Sequence, residues 1–432
     1  MMLRRWVVVS GVLAMLAGSN AAVAEPPEET ERSRARQPRI VNGLFTSDFP
    51  TTGALLFNDV DWEPISEDTA GHWCTGTLIG CQTFLTAAHC VEDEPGAEYY
   101  WVFLQHGGIF TVESIATHPN YDPDALTSDV AVLKLGEPVL GITPQPLPET
   151  NPTDLLSSNG SWPGTIAGFG RSGGAREDYG LKRYGAVHVQ FCSIEAGLDF
   201  ENPELLCWVF EEPIGAPGED SNTCNGDSGG PLFMNLAGTE VVAGITSSGT
   251  LDDCLAGDES IDMNVYAFRS FIDEQLGSDS TTACGSLPAV GSSSVNVVAN
   301  DGSLDASNPS ATHGFDIAAG ADALRFGLNS LNDGFFDADL YVKRGGTASS
   351  SNYDCKSDGA SSYGFCEFDS PGAGAWSVRV EGWGSEGQYQ LTTSLFGTVP
   401  EPGSGLGGVV TLSLLGLQGR WVRRRSEPRL GD

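Results

Sequence analysis

Between Ile40 and about Leu276 the chain never sustains an apolar pattern beyond one short strand. Runs such as TGALLF, GTLIG, DVAVLKL, GTIAGFG and VVAGITSSG are each stopped by glycine, proline or aspartate. Many short strands in succession pack as a barrel or sandwich. One stretch departs from the pattern: NVYAFRSFIDEQL, residues 264–276, carries apolar residues at helical spacing and predicts a helix that closes the region. Residues 277–294 are rich in Ser, Gly and Thr, the composition of a linker. A second β-rich block follows over 295–397, including FDADLYVKRGG and GAWSVRVEGW. The expected fold class is all-β. With 432 residues and 40% hydrophobic content there is material for two cores, and the linker composition predicts that they fold independently.

The N-terminus reads as a secretory signal over residues 1–24. Arg4 and Arg5 precede the apolar WVVVSGVLAMLAG, and AAVA supplies small residues for cleavage after Ala24. Residues 25–39, EPPEETERSRARQPR, are polar and aperiodic, as a disordered propeptide is. Export places the chain in an oxidising compartment. Its ten cysteines form no CxxC pair, so disulfides are expected and no metal site is. The formal net charge is -35, and half of the 22 Lys and Arg lie before residue 40 or after residue 399, so the middle of the chain is strongly acidic. Such a polyanion does not bind nucleic acid through its phosphates; the acidity solvates the surface.

Residues 223–231, TCNGDSGGP, set three glycines around Ser228. Alone, the stretch is equally a glycine-rich turn. A nucleophilic serine needs a base, a group that orients the base, and donors for the oxyanion. LTAAHC supplies His89 and TSDVAVLKL supplies Asp129, although singly the first reads as a core histidine and the second as a strand-end cap. Together, in the order His, Asp, Ser, these motifs resemble the trypsin and chymotrypsin family of serine proteases. The resemblance implies a double β-barrel, chymotrypsin-like domain over 40–279. It also implies a secreted serine endopeptidase that acts on protein or peptide substrates through an acyl-enzyme. In that family's established mechanism Ser228 attacks the carbonyl, His89 transfers the proton, Asp129 holds the imidazole, and the backbone N–H groups of Gly226 and Ser228 bind the oxyanion. The resemblance further pairs Cys74 with Cys90, Cys192 with Cys207, and Cys224 with Cys254. Cys355 and Cys366 are neighbours in the second block and are expected to pair there, which leaves Cys81 for Cys284.

By the same resemblance Asn222, six residues before the nucleophile, forms the base of the specificity pocket, with Gly249 on its wall and Asn264 where a glycine usually stands. An amide base carries no charge, so a neutral or polar substrate side chain is expected; alternatively Asn222 and Asn264 bond only each other and a water. RQPRIVNG, residues 36–43, resembles the family's activation site. An activating protease would cut after Arg39, and the new amino group of Ile40 would pair with Asp227.

Residues 295–397 resemble the bacterial pre-peptidase C-terminal domain, a small β-sandwich, preceded by a linker over 280–294. Strand alternation predicts Leu340 and Val342 inward with Tyr341 and Lys343 outward. Asp337 and Asp339 read as turn caps; a structural calcium there lacks the six or more oxygens it needs, and no cofactor is expected. Residues 398–432 resemble a PEP-CTERM sorting tail, with Pro400-Glu401-Pro402, an apolar run, then Arg420, Arg423, Arg424 and Arg425. That implies a processing peptidase at the inner membrane. It also implies a Gram-negative envelope or extracellular location, with transient anchoring by the tail. The competing reading is a protease-like envelope-binding protein whose role lies in the sandwich. The presence of His89, Asp129 and Ser228 favours the enzyme.

Overall fold

The apolar runs become strands of two closed barrels and a sandwich in the computed structural model, which describes residues 40–58, 65–92, 96–193, 202–282, 284–332, 334–384 and 386–397. The expected signal, propeptide with Arg39, and sorting tail lie outside these residues. After the short β1 (Leu44–Phe45) come β2 (Thr52–Phe57), β3 (Gly71–Gly80), β4 (Thr83–Thr86), β5 (Tyr100–Leu104), β6 (Gly108–Thr117) and β7 (Ala131–Leu135). The last six close in the order β2-β3-β4-β7-β6-β5. Closure leaves no free edge, and Leu55, Leu78, Phe84, Val102 and Leu133 fill the interior without exposure.

The second barrel follows a short helix α1 (Thr153–Asn159). Its strands are β8 (Ser161–Gly168), β9 (Arg183–Gln190), β10 (Leu205–Val209), β11 (Pro231–Leu236), β12 (Thr239–Gly249) and β13 (Glu259–Asn264). They run β9-β10-β13-β12-β11-β8 and close by β8 pairing with β9, while β1 adds to the outside of β9. Ile40, Ile166, Val187, Trp208 and Leu232 pack in its core. The helix predicted from residue 264 starts later, as α2 (Arg269–Leu276). Asn264 is still in β13, opposite Gly244, and the chain then turns with Ala267 N–H donating to the Asn264 carbonyl. Sheet pairing outcompetes the first helical turn there. No helix among the described residues is long and apolar enough to cross a membrane.

The remaining strands are β14 (Val295–Leu304), β15 (Ser310–Ile317), β16 (Ala321–Ser330), β17 (Phe336–Arg344), β18 (Cys355–Ser357), β19 (Tyr363–Asp369), β20 (Gly374–Gly384) and β21 (Gly387–Gly397). They form two four-stranded antiparallel sheets, β14-β21-β16-β19 and β15-β20-β17-β18. Between them pack Phe326, Leu328, Leu340, Val342, Val378 and Val380. Tyr341 differs from its expected exposure: it is only 3% exposed, its hydroxyl donates to Asp339, and its ring lies beside Tyr353. Asp337 and Asp339 are strand residues within β17, not turn caps.

The described residues of the barrels and the sandwich fall in one compact unit, so the two have a defined relation. The linker-like segment is fixed along the first barrel. Asp279 accepts bonds from Gln82 N–H and Thr83 Oγ1, Cys284 is bonded to Cys81, and Val290 N–H donates to the Gly141 carbonyl. Alternation along β16 explains the docking. Leu324, Phe326 and Leu328 point into the sandwich, while Arg325, Gly327 and Asn329 face the protease. Arg325 donates to the carbonyls of His106 (3.1 Å) and Leu140 (2.6 Å). Asn329 donates to the Gly180 carbonyl at 2.8 Å and accepts from Gln105 Nε2 at 2.9 Å. On β21, Gln390 and Ser394 likewise reach Lys182 and His106.

Gly327 has no room for a side chain, because a Cβ would overlap the Gln105 carbonyl. Gly327→Ala is therefore expected to cost about 1–3 kcal/mol by overpacking and to lower the melting temperature by several degrees. Gly314→Ala, on an open stretch of β15, should leave it unchanged. Equal melting curves for the two variants would mean that this face is not closed in solution.

Candidate active site

Strand β4 ends in a single 3-10 turn, Ala88–Cys90, whose buried ends leave His89 between them half-exposed. The Cys74–Cys90 disulfide fastens that turn to β3. Asp129 enters just before β7, after Ser128 in a left-handed conformation (φ 53°), and is fully buried. Its Oδ1 accepts the His89 backbone N–H at 2.8 Å; its Oδ2 accepts His89 Nδ1 at 2.7 Å and the Ser247 hydroxyl at 2.6 Å. A carboxylate only accepts, so Nδ1 carries the imidazole proton and Nε2 is left as the ring's acceptor. Ser247, within the SSG run at 247–249, completes this arrangement. Sequence reasoning saw the run only as pocket wall.

The 224–230 loop has no regular structure, and neighbours hold its backbone from both barrels. The Ser228 carbonyl accepts from Thr75 N–H of β3, and Gly229 N–H donates to the Thr246 carbonyl of β12. Gly226 and Gly229 have φ of 89° and 78°, the left-handed region where glycine is needed. At Gly226 a Cβ would also press on the Tyr179 ring, the His72 ring and Gly170.

Asp227 is buried beneath this loop, accepting Gly170 N–H at 2.8 Å and Cys224 N–H at 3.0 Å. Desolvation pushes its carboxyl up to about 7 in spite of those two bonds and the Arg183 charge. Ile40 is also buried; Val41 and Asn222 exchange both backbone bonds, and the Asn42 side chain donates to three carbonyls of the 215–220 loop. The segment that follows Arg39 is thus docked on the second barrel.

A cavity of about 340 Å³ opens beside His89 and Ser228, with Gly226, Gly249, Asp258 and Ser260 on its walls. The disulfide Cys224–Cys254 borders it. Asn222 does not reach the surface of this cavity. Its oxygen accepts from Trp208 Nε1 and Ser260 Oγ, and its nitrogen donates to the Cys254 carbonyl and, at 2.8 Å, to Asp258 Oδ2. Asn264 lies elsewhere, bonded to Asn151 and the Pro203 carbonyl, so the two asparagines do not meet. Neither asparagine lines the cavity, and the side chain of Asp258 does. Its Oδ1 accepts from Thr250 Oγ1 and Leu251 N–H, and a Cβ on Gly249 would come within 2.9 Å of its Oδ2. Counting from the nucleophile loop alone could not find this residue, which lies one position ahead of β13 and meets the cavity at the end of the 250–258 loop.

The disulfides Cys81–Cys284, Cys192–Cys207 and Cys355–Cys366 complete a set of five, and no cysteine is free. Among the described residues the grouping of potential metal ligands is Cys74, His89 and Cys90, and its two sulfurs are bonded to each other. At the sandwich pair, burial and the nearby Asp339 push Asp337 up to about 7, while Asp339 accepts from Tyr341 and Trp383.

A buried aspartate bonded to a histidine thus lies beside a cavity that the histidine shares with a serine on a clamped glycine loop. The family model described as Trypsin matches residues 50–272, more than half of the chain, and that described as Bacterial pre-peptidase C-terminal domain matches 309–382. The chain belongs to the trypsin family of serine endopeptidases. It is 27% identical over 293 residues to "Trypsin, alkaline C" of Manduca sexta, covering 60% of this chain and 97% of that protein. It is 30% identical over 216 residues to "Tryptase" of Mus musculus (46% and 75%), and 29% identical over 225 residues to "Vitamin K-dependent protein C" of Mus musculus (49% and 46%). The chain thus spans less than half of protein C.

The Asp227 pKa carries a sign. The folded chain keeps a proton that an unfolded aspartate releases near 3.8, so this contribution to stability is full below pH 4 and lost as pH rises through about 7. His72 and His106, pushed down to about 4 by burial, act oppositely, their contribution being lost as pH falls from 6.5. A comparison of Asp227→Asn with its parent isolates the first effect. In chains kept uncut by Arg39→Gln, the parent's advantage in melting temperature over Asp227→Asn should shrink between pH 4 and pH 8. An advantage that grows with pH would mean a carboxylate ionised and paired before cleavage.

Proposed function

We propose that this protein is an exported serine endopeptidase, made as a zymogen, that hydrolyses peptide bonds beside a basic side chain. The observation that carries the reading is the 2.7 Å bond from His89 Nδ1 to the buried Asp129, on a cavity that Ser228 shares. His89 Nε2 accepts the Ser228 hydroxyl proton as Oγ attacks the substrate carbonyl. The oxyanion receives the N–H groups of Gly226 and Ser228. His89 returns the proton to the leaving amine, and the acyl-enzyme is hydrolysed by water that gives its proton to the same nitrogen. Asp129, braced by Ser247, stabilises the imidazolium formed in each half.

Activation follows from Asp227. Cleavage after Arg39 creates an α-amino group on Ile40, charged at neutral pH with a free pKa near 8. Docking of 40–43 on the second barrel and a costly buried carboxyl beneath the nucleophile loop support its insertion beside Asp227, where the pair would order the oxyanion donors. Export is supported by the signal-like 1–24 stretch and by the pairing of all ten cysteines. The 398–432 tail fits a sorting signal removed by a membrane peptidase, with the mature protein at the Gram-negative envelope or beyond.

Hydrolysis of a mixed peptide library should begin only when N-terminal sequencing finds a start at Ile40. Ser228→Ala should then reduce turnover by roughly a millionfold. Full activity from a chain starting at Glu25 would refute the zymogen mechanism, and activity of Ser228→Ala above a tenth of the parent would refute the nucleophile.

Asp258 offers a carboxylate oxygen to a cationic substrate tip, a charge-assisted contact that an amide cannot match. Asp258→Asn should lower kcat/KM for Lys and Arg substrates roughly a hundredfold, by about 2–3 kcal/mol, and leave Gln or Leu substrates within a few-fold. A profile that does not move would exclude Asp258 from specificity.

A further inference from the structure

The sandwich reaches the active site through one histidine. His72, on β3 beside Cys74, places Nε2 3.1 Å from the Gly226 carbonyl and Nδ1 3.0 Å from the Tyr363 hydroxyl. Tyr363 begins β19 of the sandwich and is 2% exposed, packed with Phe103 and Phe169 of the barrels. Both bonds have only one consistent polarity. The Gly226 carbonyl can only accept, so Nε2 carries the proton; Nδ1 is then an acceptor, and the phenol must donate to it. Burial pushes the His72 pKa down to about 4 and that of Tyr363 well above its usual value, so both are neutral at physiological pH and the polarity persists.

A second neighbour of Gly226 is also set by the sandwich. Tyr179, whose ring would touch a Cβ on Gly226, pairs through its backbone with Asn332, and its carbonyl accepts Asn332 N–H at 3.0 Å. The next carbonyl, of Gly180, accepts Asn329 Nδ2 at 2.8 Å, and Gln390 binds both backbone groups of Lys182. Gly226 therefore lies against two protease segments that are each tied to the sandwich. The Thr75 hydroxyl, at 2.8 Å, is a second donor to its carbonyl, and it has no tie to the sandwich among the bonds described.

We propose that Tyr363 is a positioning residue for catalysis: through His72 it holds the carbonyl of the Gly226–Asp227 peptide, the link between the Gly226 and Ser228 N–H groups, and so their relative placement, making the C-terminal sandwich part of the peptidase machinery. The proposal rests on the reading of Gly226 and Ser228 as oxyanion donors. Losing an oxyanion donor outright costs about 10²–10³ in turnover. Loosening its orientation while Thr75 remains should cost less.

The test is Tyr363→Phe in the full, cut protein, which removes one hydroxyl and keeps the aromatic packing. The expected result is a kcat reduced roughly tenfold with KM within twofold, and a peptide aldehyde, whose adduct places an oxyanion in the hole, bound about tenfold more weakly. Tyr341→Phe, which also removes a buried phenol from the sandwich, should leave all three within twofold. A Tyr363→Phe enzyme with unchanged kcat and aldehyde affinity overturns the proposal. The His72 tautomer is read separately by imidazole ¹⁵N shifts in Ser228→Ala protein, which needs neither turnover nor the Tyr363 variant. A protonated Nε2 with a bonded, unprotonated Nδ1 is expected, and a proton on Nδ1 overturns the relay even if the peptidase reading stands.

Discussion

Holding the 224–230 loop from outside is the constraint on which the active site depends. Its glycines give it left-handed turns, and the same glycines leave it without intrinsic rigidity. β3 supplies Thr75 to the carbonyls of Gly226 and Ser228, β12 receives Gly229, and Asp227 anchors the underside to Gly170 and Cys224. Each barrel alone offers half of these contacts. Two barrels meeting along one edge are thus a physical requirement of the site, since neither could order the loop by itself.

Electrostatics follow the same economy. With 57 acidic and 22 basic residues, cations are scarce, yet Lys182, Arg183 and Arg325 are each no more than 3% exposed. Lys182 donates to the Phe49 carbonyl and is pushed down to about 7 by desolvation; Arg183 donates to the carbonyls of Gly170 and Asp178; Arg325 binds two carbonyls and Glu367. All three side chains bond backbone carbonyls, and Arg325 does so across the join between sandwich and first barrel. A polyanionic surface repels a docked acidic partner, and burying positive charge at the join relieves that repulsion where the sandwich meets the barrels.

The sequence made the all-β class legible because short, turn-bounded apolar runs admit little else. It also exposed the chemistry of His89, Asp129 and Ser228, which sit in long local motifs. What it hid depends on register and docking. Asp258 reaches the cavity from the loop just ahead of β13, and the path of a loop is invisible to counting along the chain. Asn264 remained a strand residue because its pairing with Gly244 stops the helix from starting where the apolar spacing begins. The polar face of β16, with Arg325 and Asn329, reads in sequence as a solvated surface, since alternation tells which residues share a face and not what that face meets. His72 and Tyr363 lie 291 residues apart, and no local signal joins them.

The Cys81–Cys284 bond fixes the point from which the second half of the chain departs. From there the chain runs along the first barrel, is caught at Val290 by the Gly141 carbonyl, and enters β14 at Val295. The sandwich is in effect a ligand on a leash of about ten residues, and its local concentration at its own docking face is of millimolar order or higher. Contacts too weak to hold a free partner are then sufficient. A peptide-bond cut just beyond Cys284 would change that arithmetic abruptly, turning a first-order association into a second-order one and making occupancy of the face depend on dilution.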